Sequence, residues 1–151
     1  MTEGFDRFLT ECLEQGKQFF VPENPPVNAS EIEAGENDFG VNLPDSYKHF
    51  LLYYGSGVWC DEPIAHLREL YDLDSDNLKI EGFIVLVQNV RGVGDLIAFN
   101  PEDAEVAGER PVYYCSHDPF GFVKIADSFE DWLRKTVEAK KQDVDLYEQA
   151  V

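Results

Sequence analysis

The residue types best suited to chemistry stand close together in one short segment, where Cys115, His117 and Asp118 are almost adjacent. Residues two apart share one face of an extended strand, so Cys115 and His117 would lie on the same face. With a carboxylate from Asp95 they have the residue types of a Cys-His-Asp set for nucleophilic catalysis. The sequence around them contains neither a nucleophile elbow nor a glycine-rich oxyanion loop. Because a catalytic site needs this supporting geometry, we expect the segment not to form one.

Alternating aspartates at Asp72, Asp74 and Asp76 have the spacing of the first half of a calcium-binding loop. The rest of that motif does not match, since Asn77 stands where the loop requires Gly and Phe83 where it requires a bidentate Glu. A solvated acidic turn is the better interpretation. The sequence therefore predicts neither a metal site nor another cofactor.

The segment 91–95 reads Arg-Gly-Val-Gly-Asp and is superficially similar to a phosphate-binding loop. A phosphate loop continues into Gly-Lys-Ser/Thr and the start of a helix, whereas residues 96–99 are typical of a strand. The glycines are predicted to form a tight hairpin turn instead.

Three helices are predicted in the first third of the chain. The first has an apolar stripe that includes Cys12 as a packing residue: Phe5, Phe8, Leu9, Cys12 and Leu13. Residues 22–28 contain three prolines and predict a loop. Ser30 and Glu33 have the spacing of a capping box for a second helix that ends near Gly40. Pro44 begins a third, which is expected to end at Gly55.

Beyond Gly57 the apolar pattern changes to short runs that predict antiparallel strands: 58–60, 83–90, 96–99, 112–115 and 122–125. Residues 61–78 fit either a helical turn or a strand, and the choice stays open. Ser128 caps a final helix, and the tail beyond Gln142 is expected to fray. The predicted fold is α+β, a single domain over 1–151 with a curved antiparallel sheet of about five or six strands between N-terminal helices and a C-terminal helix. Leu43 and Trp132 are expected to be buried anchors between helix and sheet.

Thirty acidic residues against twelve basic ones give the chain a formal charge of -18. This charge disfavours binding to nucleic acid or to an anionic membrane, and it indicates that any macromolecular partner is basic. The alternative is that the charge serves only to keep the protein soluble, and the composition alone favours that interpretation. The N-terminal residues lack the long apolar stretch of a signal peptide or membrane anchor, and the three cysteines are widely spaced. We therefore expect a cytoplasmic protein with reduced thiols.

Two blocks of residues carry a resemblance to a known family. The first block is Ile32, Glu36, Phe39-Gly40-Val41, Leu43-Pro44, Tyr47 and Phe50-Leu51, followed by Gly55 and Gly57. The second is Gly94-Asp95, Val112-Tyr113-Tyr114, His117-Asp118, Ser128-Phe129 and Trp132-Leu133. In this order and spacing the chain resembles the SUKH superfamily of Smi/Knr-type proteins over roughly residues 30 to 134.

The resemblance implies a non-enzymatic bacterial immunity protein that binds and neutralises a cognate toxin, commonly a nuclease or other nucleic-acid-acting domain. The acidic charge of this chain indicates a basic nuclease-type toxin domain. It also implies that Asp95 and His117 are turn-forming and polar-network residues. Two alternatives remain: a regulatory or scaffold module of the same fold, and an enzyme that uses Cys115 and His117.

A toxin-binding face would need an acidic rim and an aromatic anchor, since Tyr and Trp bury a large area with few rotatable bonds. Aromatic residues make up 13% of the chain. Most are expected to fill the core, and some to be exposed, among Tyr47, Tyr53, Tyr54, Trp59, Tyr71, Tyr113 and Tyr114. The predicted rim is Asp61, Glu62, Asp72, Asp74 and Asp76, with Trp59 or Tyr71 as anchor. The sequence does not indicate whether the protein self-associates.

Overall fold

A computed structural model describes residues 2–67, 79–80, 82–117 and 120–148. The helices in this part of the chain are α1 (Phe5–Glu14), α2 (Ala29–Phe39), α3 (Asp45–Tyr53) and α4 (Phe129–Lys141), with a 3-10 turn over Gly16–Gln18. The strands are β1 (Phe20–Asn24), β2 (Ser56–Trp59), β3 (Glu62–Pro63), β4 (Lys79–Ile80), β5 (Phe83–Val90), β6 (Asp95–Phe99), β7 (Val112–His117) and β8 (Phe120–Ala126). The predicted α+β class is confirmed.

The strands form two antiparallel sheets, where the sequence analysis predicted one. A three-stranded sheet has the order β1-β2-β3, and a five-stranded sheet has the order β4-β5-β6-β7-β8. A bridge between Ile64 and Val87 links them, and the Ala65 amide donates to the Leu86 carbonyl at 2.8 Å. The predicted hairpin turn at 91–94 is confirmed, since it joins the paired strands β5 and β6.

The predicted loop at 22–28 is wrong in part, because β1 extends to Asn24 and contains Pro22. Proline is tolerated there because β1 is an edge strand and its register with β2 shifts next to Pro22. Gly57 permits the close approach of the two strands: a Cβ at this position would lie 2.1 Å from the Val21 carbonyl oxygen.

The second helix begins earlier than its predicted capping box. Asn28, not Ser30, is the N-cap, and its side chain accepts a hydrogen bond from the Glu31 amide at 2.8 Å. Glu31 accepts the Asn28 amide in return at 3.4 Å, so the capping box is Asn28–Glu31. The helix ends at Gly40, as predicted, in a left-handed conformation that glycine adopts without strain.

The main core brings together apolar side chains of α1, α3 and α4, of β1 and β2, and of the inner face of the five-stranded sheet. The rings of Tyr47 and Phe129 meet edge to face at 5.2 Å, which joins α3 to α4. Leu43 and Trp132 are both buried, as predicted. The outer face of the same sheet carries a second apolar cluster of Phe83, Val85, Ala98 and Cys115, against which Leu96 and Tyr113 pack. In the described part of the chain, no helix combines the length and the apolar composition that a membrane span requires.

Candidate protein-binding surface

A pocket of about 290 Å³ opens beside the turn that joins β2 to β3. Cys60 and Asp61 both have left-handed backbone angles, with φ of 46° and 72°, and Trp59 pairs with Glu62 across them. Two consecutive left-handed residues are what a tight hairpin turn requires. The other wall comes from the end of α4 and the chain that follows it. We call this site the turn pocket; its lining residues are Cys60, Asp61, Glu62, Arg91, Thr136, Ala139, Lys140, Asp143, Val144, Asp145, Leu146 and Tyr147.

Carboxylates outnumber cations in the turn pocket. Its acidic side chains are Asp61, Glu62, Asp143 and Asp145, and its basic ones are Arg91 and Lys140. Lys140 Nζ lies 3.1 Å from Asp61, and the Arg91 guanidinium lies 3.0 Å from Asp145. These two pairs are partly exposed, so each contributes little to stability and its carboxylate can exchange partners with an incoming cation.

Glu62 is the least exposed of the four carboxylates that line the turn pocket. It accepts a hydrogen bond from the Arg91 amide at 3.0 Å. Burial nevertheless raises its pKa above the ordinary value, because desolvation outweighs that hydrogen bond. A cation placed beside Glu62 would lower the cost of keeping this carboxylate charged.

The floor of the turn pocket is apolar and firmly held. Tyr147 is buried, its hydroxyl accepts a hydrogen bond from the Trp132 indole nitrogen at 3.0 Å, and its ring lies 5.0 Å from that of Tyr114. The prediction that the tail frays beyond Gln142 is therefore wrong over 143–148. These contacts fix the chain that presents Asp143 and Asp145.

Only part of the predicted toxin-binding set lies on this surface. Asp61 and Glu62 line the turn pocket. Trp59 is fully buried and donates its indole N–H to Thr136 at 2.7 Å, so it is a core residue with no surface to offer a partner, and the prediction of Trp59 as an anchor is wrong. The other predicted contacts, Tyr71, Asp72, Asp74 and Asp76, lie outside the described residues.

Sequence reasoning missed Asp143 and Asp145, which complete the acidic rim. The available signal was the apolar pair Leu146 and Tyr147, which indicates a segment packed on the core and not a frayed end. Of the aromatic residues considered as anchors, Tyr47, Trp59 and Tyr114 are buried, whereas Tyr53 is 64% exposed.

The residues considered for catalysis form a structural network instead. The Asp95 carboxylate accepts hydrogen bonds from the Tyr114 hydroxyl and from the His117 backbone amide, and its Oδ1 lies 2.8 Å from His117 Nδ1. Cys115 is fully buried in the outer-face cluster, and burial raises the pKa of its thiol to about 12. A thiol with that pKa is almost entirely protonated at neutral pH, and the thiolate is the nucleophilic form.

The side chains that could ligate a metal ion are scattered over the described part of the chain. Within residues 2–67, 79–80, 82–117 and 120–148, His, Cys, Asp and Glu side chains do not gather in groups of three or more that are placed to hold an ion. The turn pocket combines an apolar floor with a charged rim, an arrangement that is common at protein-binding surfaces.

Comparison with known proteins supports the assignment made from the residues. None of the curated proteins compared with the chain is similar enough to count as a match. A family model, described as the SMI1 / KNR4 family (SUKH-1), matches residues 26–135. The match covers most of the chain and includes both blocks that carry the resemblance, so the protein belongs to the SMI1 / KNR4 family (SUKH-1).

Proposed function

We propose that this protein is an immunity protein that binds a cognate toxin and neutralises it without catalysis. Immunity proteins are known in the SUKH family. The proposed partner is a basic toxin domain of the nuclease type, and the proposed site of action is the cytoplasm of the cell that makes the toxin. Neither nucleic acid nor a membrane is part of the proposed complex, because both carry the same sign of charge as this chain.

The observation that carries the proposal is the turn pocket. There, Asp61, Glu62, Asp143 and Asp145 come together from two distant segments around an apolar floor. A nuclease binds phosphate through lysine and arginine side chains, and carboxylates compete with phosphate for those same groups. An immunity protein that seats such side chains in the turn pocket would occlude the surface on which the nuclease needs its substrate.

The overall charge of -18 supports the same proposal through kinetics. Attraction between opposite charges steers encounter and raises the association rate, and this attraction weakens as salt screens it. Fast association is what an immunity protein requires, because it must reach the toxin before the toxin reaches its substrate.

A charge-neutralised variant tests the turn pocket directly. The triple variant Asp61→Asn, Asp143→Asn, Asp145→Asn should bind the cognate toxin more slowly than wild type, with a flatter dependence on salt. The matched control is Glu11→Gln, Glu23→Gln, Glu102→Gln, which removes the same charge from exposed positions outside the pocket. The measurements are stopped-flow association at two salt concentrations and survival of cells that co-express the toxin.

The outcomes separate the site from the function. Equal slowing by the pocket variant and the control would mean that only net charge matters and that the turn pocket is not the binding face. If wild-type protein neither binds the toxin nor protects the cells, the immunity function itself is wrong.

A further inference from the structure

A second concave surface, separate from the turn pocket, lies between helices α2 and α3. This groove has a volume of about 530 Å³. We call it the helix groove; it is lined by Ala29, Ile32, Glu33, Glu36, Asp45, Lys48, His49, Leu52 and Tyr53. Ile32 is buried and Leu52 half-buried, so the groove combines an apolar floor with a charged rim.

An exposed aromatic ring stands at one end of the helix groove. The side chain of Tyr53 is 64% exposed, and its ring lies 4.6 Å from the ring of His49. His49 is held from behind, since its Nε2 lies 2.6 Å from Asp6 and its ring 5.5 Å from Phe5. A tyrosine supported in this way buries a large area on binding and loses little conformational freedom, which is the property of an interface anchor.

The rim of the helix groove is acidic. Glu33, Glu36 and Asp45 face a single lining lysine, Lys48, whose Nζ lies 3.3 Å from Glu36 and 3.6 Å from Asp45. Glu36 also accepts the Leu43 backbone amide at 2.8 Å. Lys48 therefore offsets part of the negative charge on the rim, and the exposed carboxylates of Glu33 and Asp45 favour a cationic occupant.

The charge of the chain selects the kind of occupant. A second copy would bring another -18 to the interface, and nucleic acid would bring phosphates, so both are repelled. The apolar floor and the exposed ring favour a segment that has an apolar side as well as cations. Such a segment lies in a groove with its apolar face inward and its charges at the rim.

We propose that the helix groove is a second docking site, in which Tyr53 packs on the apolar side of a cationic amphipathic segment while Glu33 and Asp45 bind its lysine or arginine side chains. The inference rests on the proposed function, since it assigns this segment to the same basic protein partner. It places the aromatic anchor at Tyr53, the last residue of α3, and not at the buried Trp59.

A designed peptide tests the groove without the toxin. The probe is a fluorescein-labelled helical peptide of leucine and lysine with leucine along one face, and the control peptide has glutamate in place of lysine. In NMR spectra of isotope-labelled protein, the amide chemical shifts of α2 and α3 should change when the lysine peptide is added. Tyr53→Ala should weaken binding about tenfold or more, because loss of an anchor residue typically costs that much.

Matched variants distinguish docking from general attraction to an acidic protein. The variant Glu33→Gln, Asp45→Asn should weaken binding and flatten its salt dependence. The control variant Glu11→Gln, Glu102→Gln, at exposed positions outside both the helix groove and the turn pocket, should leave the affinity for the peptide nearly unchanged. Circular dichroism of each variant checks that the fold is retained. Shifts centred on the turn pocket or spread over the whole surface would overturn the proposal, as would equal affinity of Tyr53→Ala and wild type.

The toxin then separates this inference from the proposed function. If wild-type protein protects cells and Tyr53→Ala binds the toxin and protects equally well, the helix groove is not a docking site while the immunity function stands. If wild type fails to protect, the immunity function is wrong whatever the peptide shows.

Discussion

The hydroxyl of Ser46 donates a hydrogen bond to the carboxylate of Glu109 at 2.7 Å, although the two residues are 63 positions apart. The other oxygen of Glu109 accepts the Ser46 backbone amide at 2.7 Å, and the Glu130 amide donates to Ser46 Oγ at 3.1 Å. All three residues are buried. This cluster supplies partners for amides in the first turns of α3 and α4, which a helix cannot satisfy internally.

Glu109→Ala should destabilise the fold, because it leaves the Ser46 amide and hydroxyl without the carboxylate that accepts both. A buried polar group that loses its partner typically costs about 1 to 3 kcal/mol. Denaturant unfolding measures the loss, and Glu102→Ala, at an exposed position in the same loop, is the control. Equal stability of the two variants would show that the Ser46–Glu109 link does not hold the helices in place.

Leu43→Ala and Trp132→Ala should each remove a large share of the stability of the domain. Both side chains are buried, and truncation of a buried Leu or Trp to Ala costs about 2 to 5 kcal/mol. Trp132→Ala also takes away the hydrogen-bond donor of the buried Tyr147. Thermal unfolding should show midpoints lowered by several degrees, or a failure to fold; unchanged melting curves for both variants would contradict the described core.

Local signals predicted the elements whose formation depends on local chemistry. The stripe of α1, the glycine at the end of α2 and the cap of α4 at Ser128 each act within one or two helical turns. The structure contains all three, except that Leu13 of the predicted stripe is exposed. Strand β1 was missed because a proline such as Pro22 locally indicates a loop. Its pairing depends on Gly57, more than thirty residues away, which a local pattern does not reveal.

The candidate site was harder to predict because it is assembled from distant segments. Asp61 and Glu62 were identified, since an acidic pair beside a turn is visible in the sequence. Their neighbours Asp143 and Asp145 are brought in by the packing of Tyr147, which is a tertiary contact. Trp59 was misassigned for a related reason: the sequence shows that a tryptophan is present but not which side of its strand faces the core.

Cys115 should resist alkylation in the folded protein. Its side chain is fully buried and burial raises its pKa to about 12, so both access and thiolate are lacking at neutral pH. Mass spectrometry after treatment with iodoacetamide should find Cys115 unmodified under native conditions and modified in denaturant. Rapid native modification would show a reactive thiol and would reopen the enzyme alternative, which Cys115→Ser and His117→Ala would then test through loss of turnover.

Asp95→Asn should change how stability depends on pH in acid. Burial acts to raise the pKa of Asp95, but hydrogen bonds from the Tyr114 hydroxyl and His117 outweigh it and hold the pKa below the ordinary 3.8. The folded state thus binds this proton less tightly than the unfolded chain does. The stability that the Asp95 carboxylate contributes is therefore fully present at pH values above its ordinary pKa of 3.8. It is lost as pH falls through the lower folded value.

The measurement is denaturant unfolding of wild type and Asp95→Asn over a series of pH values. The difference in unfolding free energy should be roughly 1 to 3 kcal/mol and constant above about pH 5, and it should shrink as pH falls below the ordinary 3.8. Glu109→Gln is the control of opposite sign, because burial raises the pKa of Glu109 above 4.5. The stability that Glu109 contributes to the wild-type protein should therefore fall as pH rises through that region. A difference for Asp95→Asn that grows in acid would mean that the network with Tyr114 and His117 does not favour the charged carboxylate.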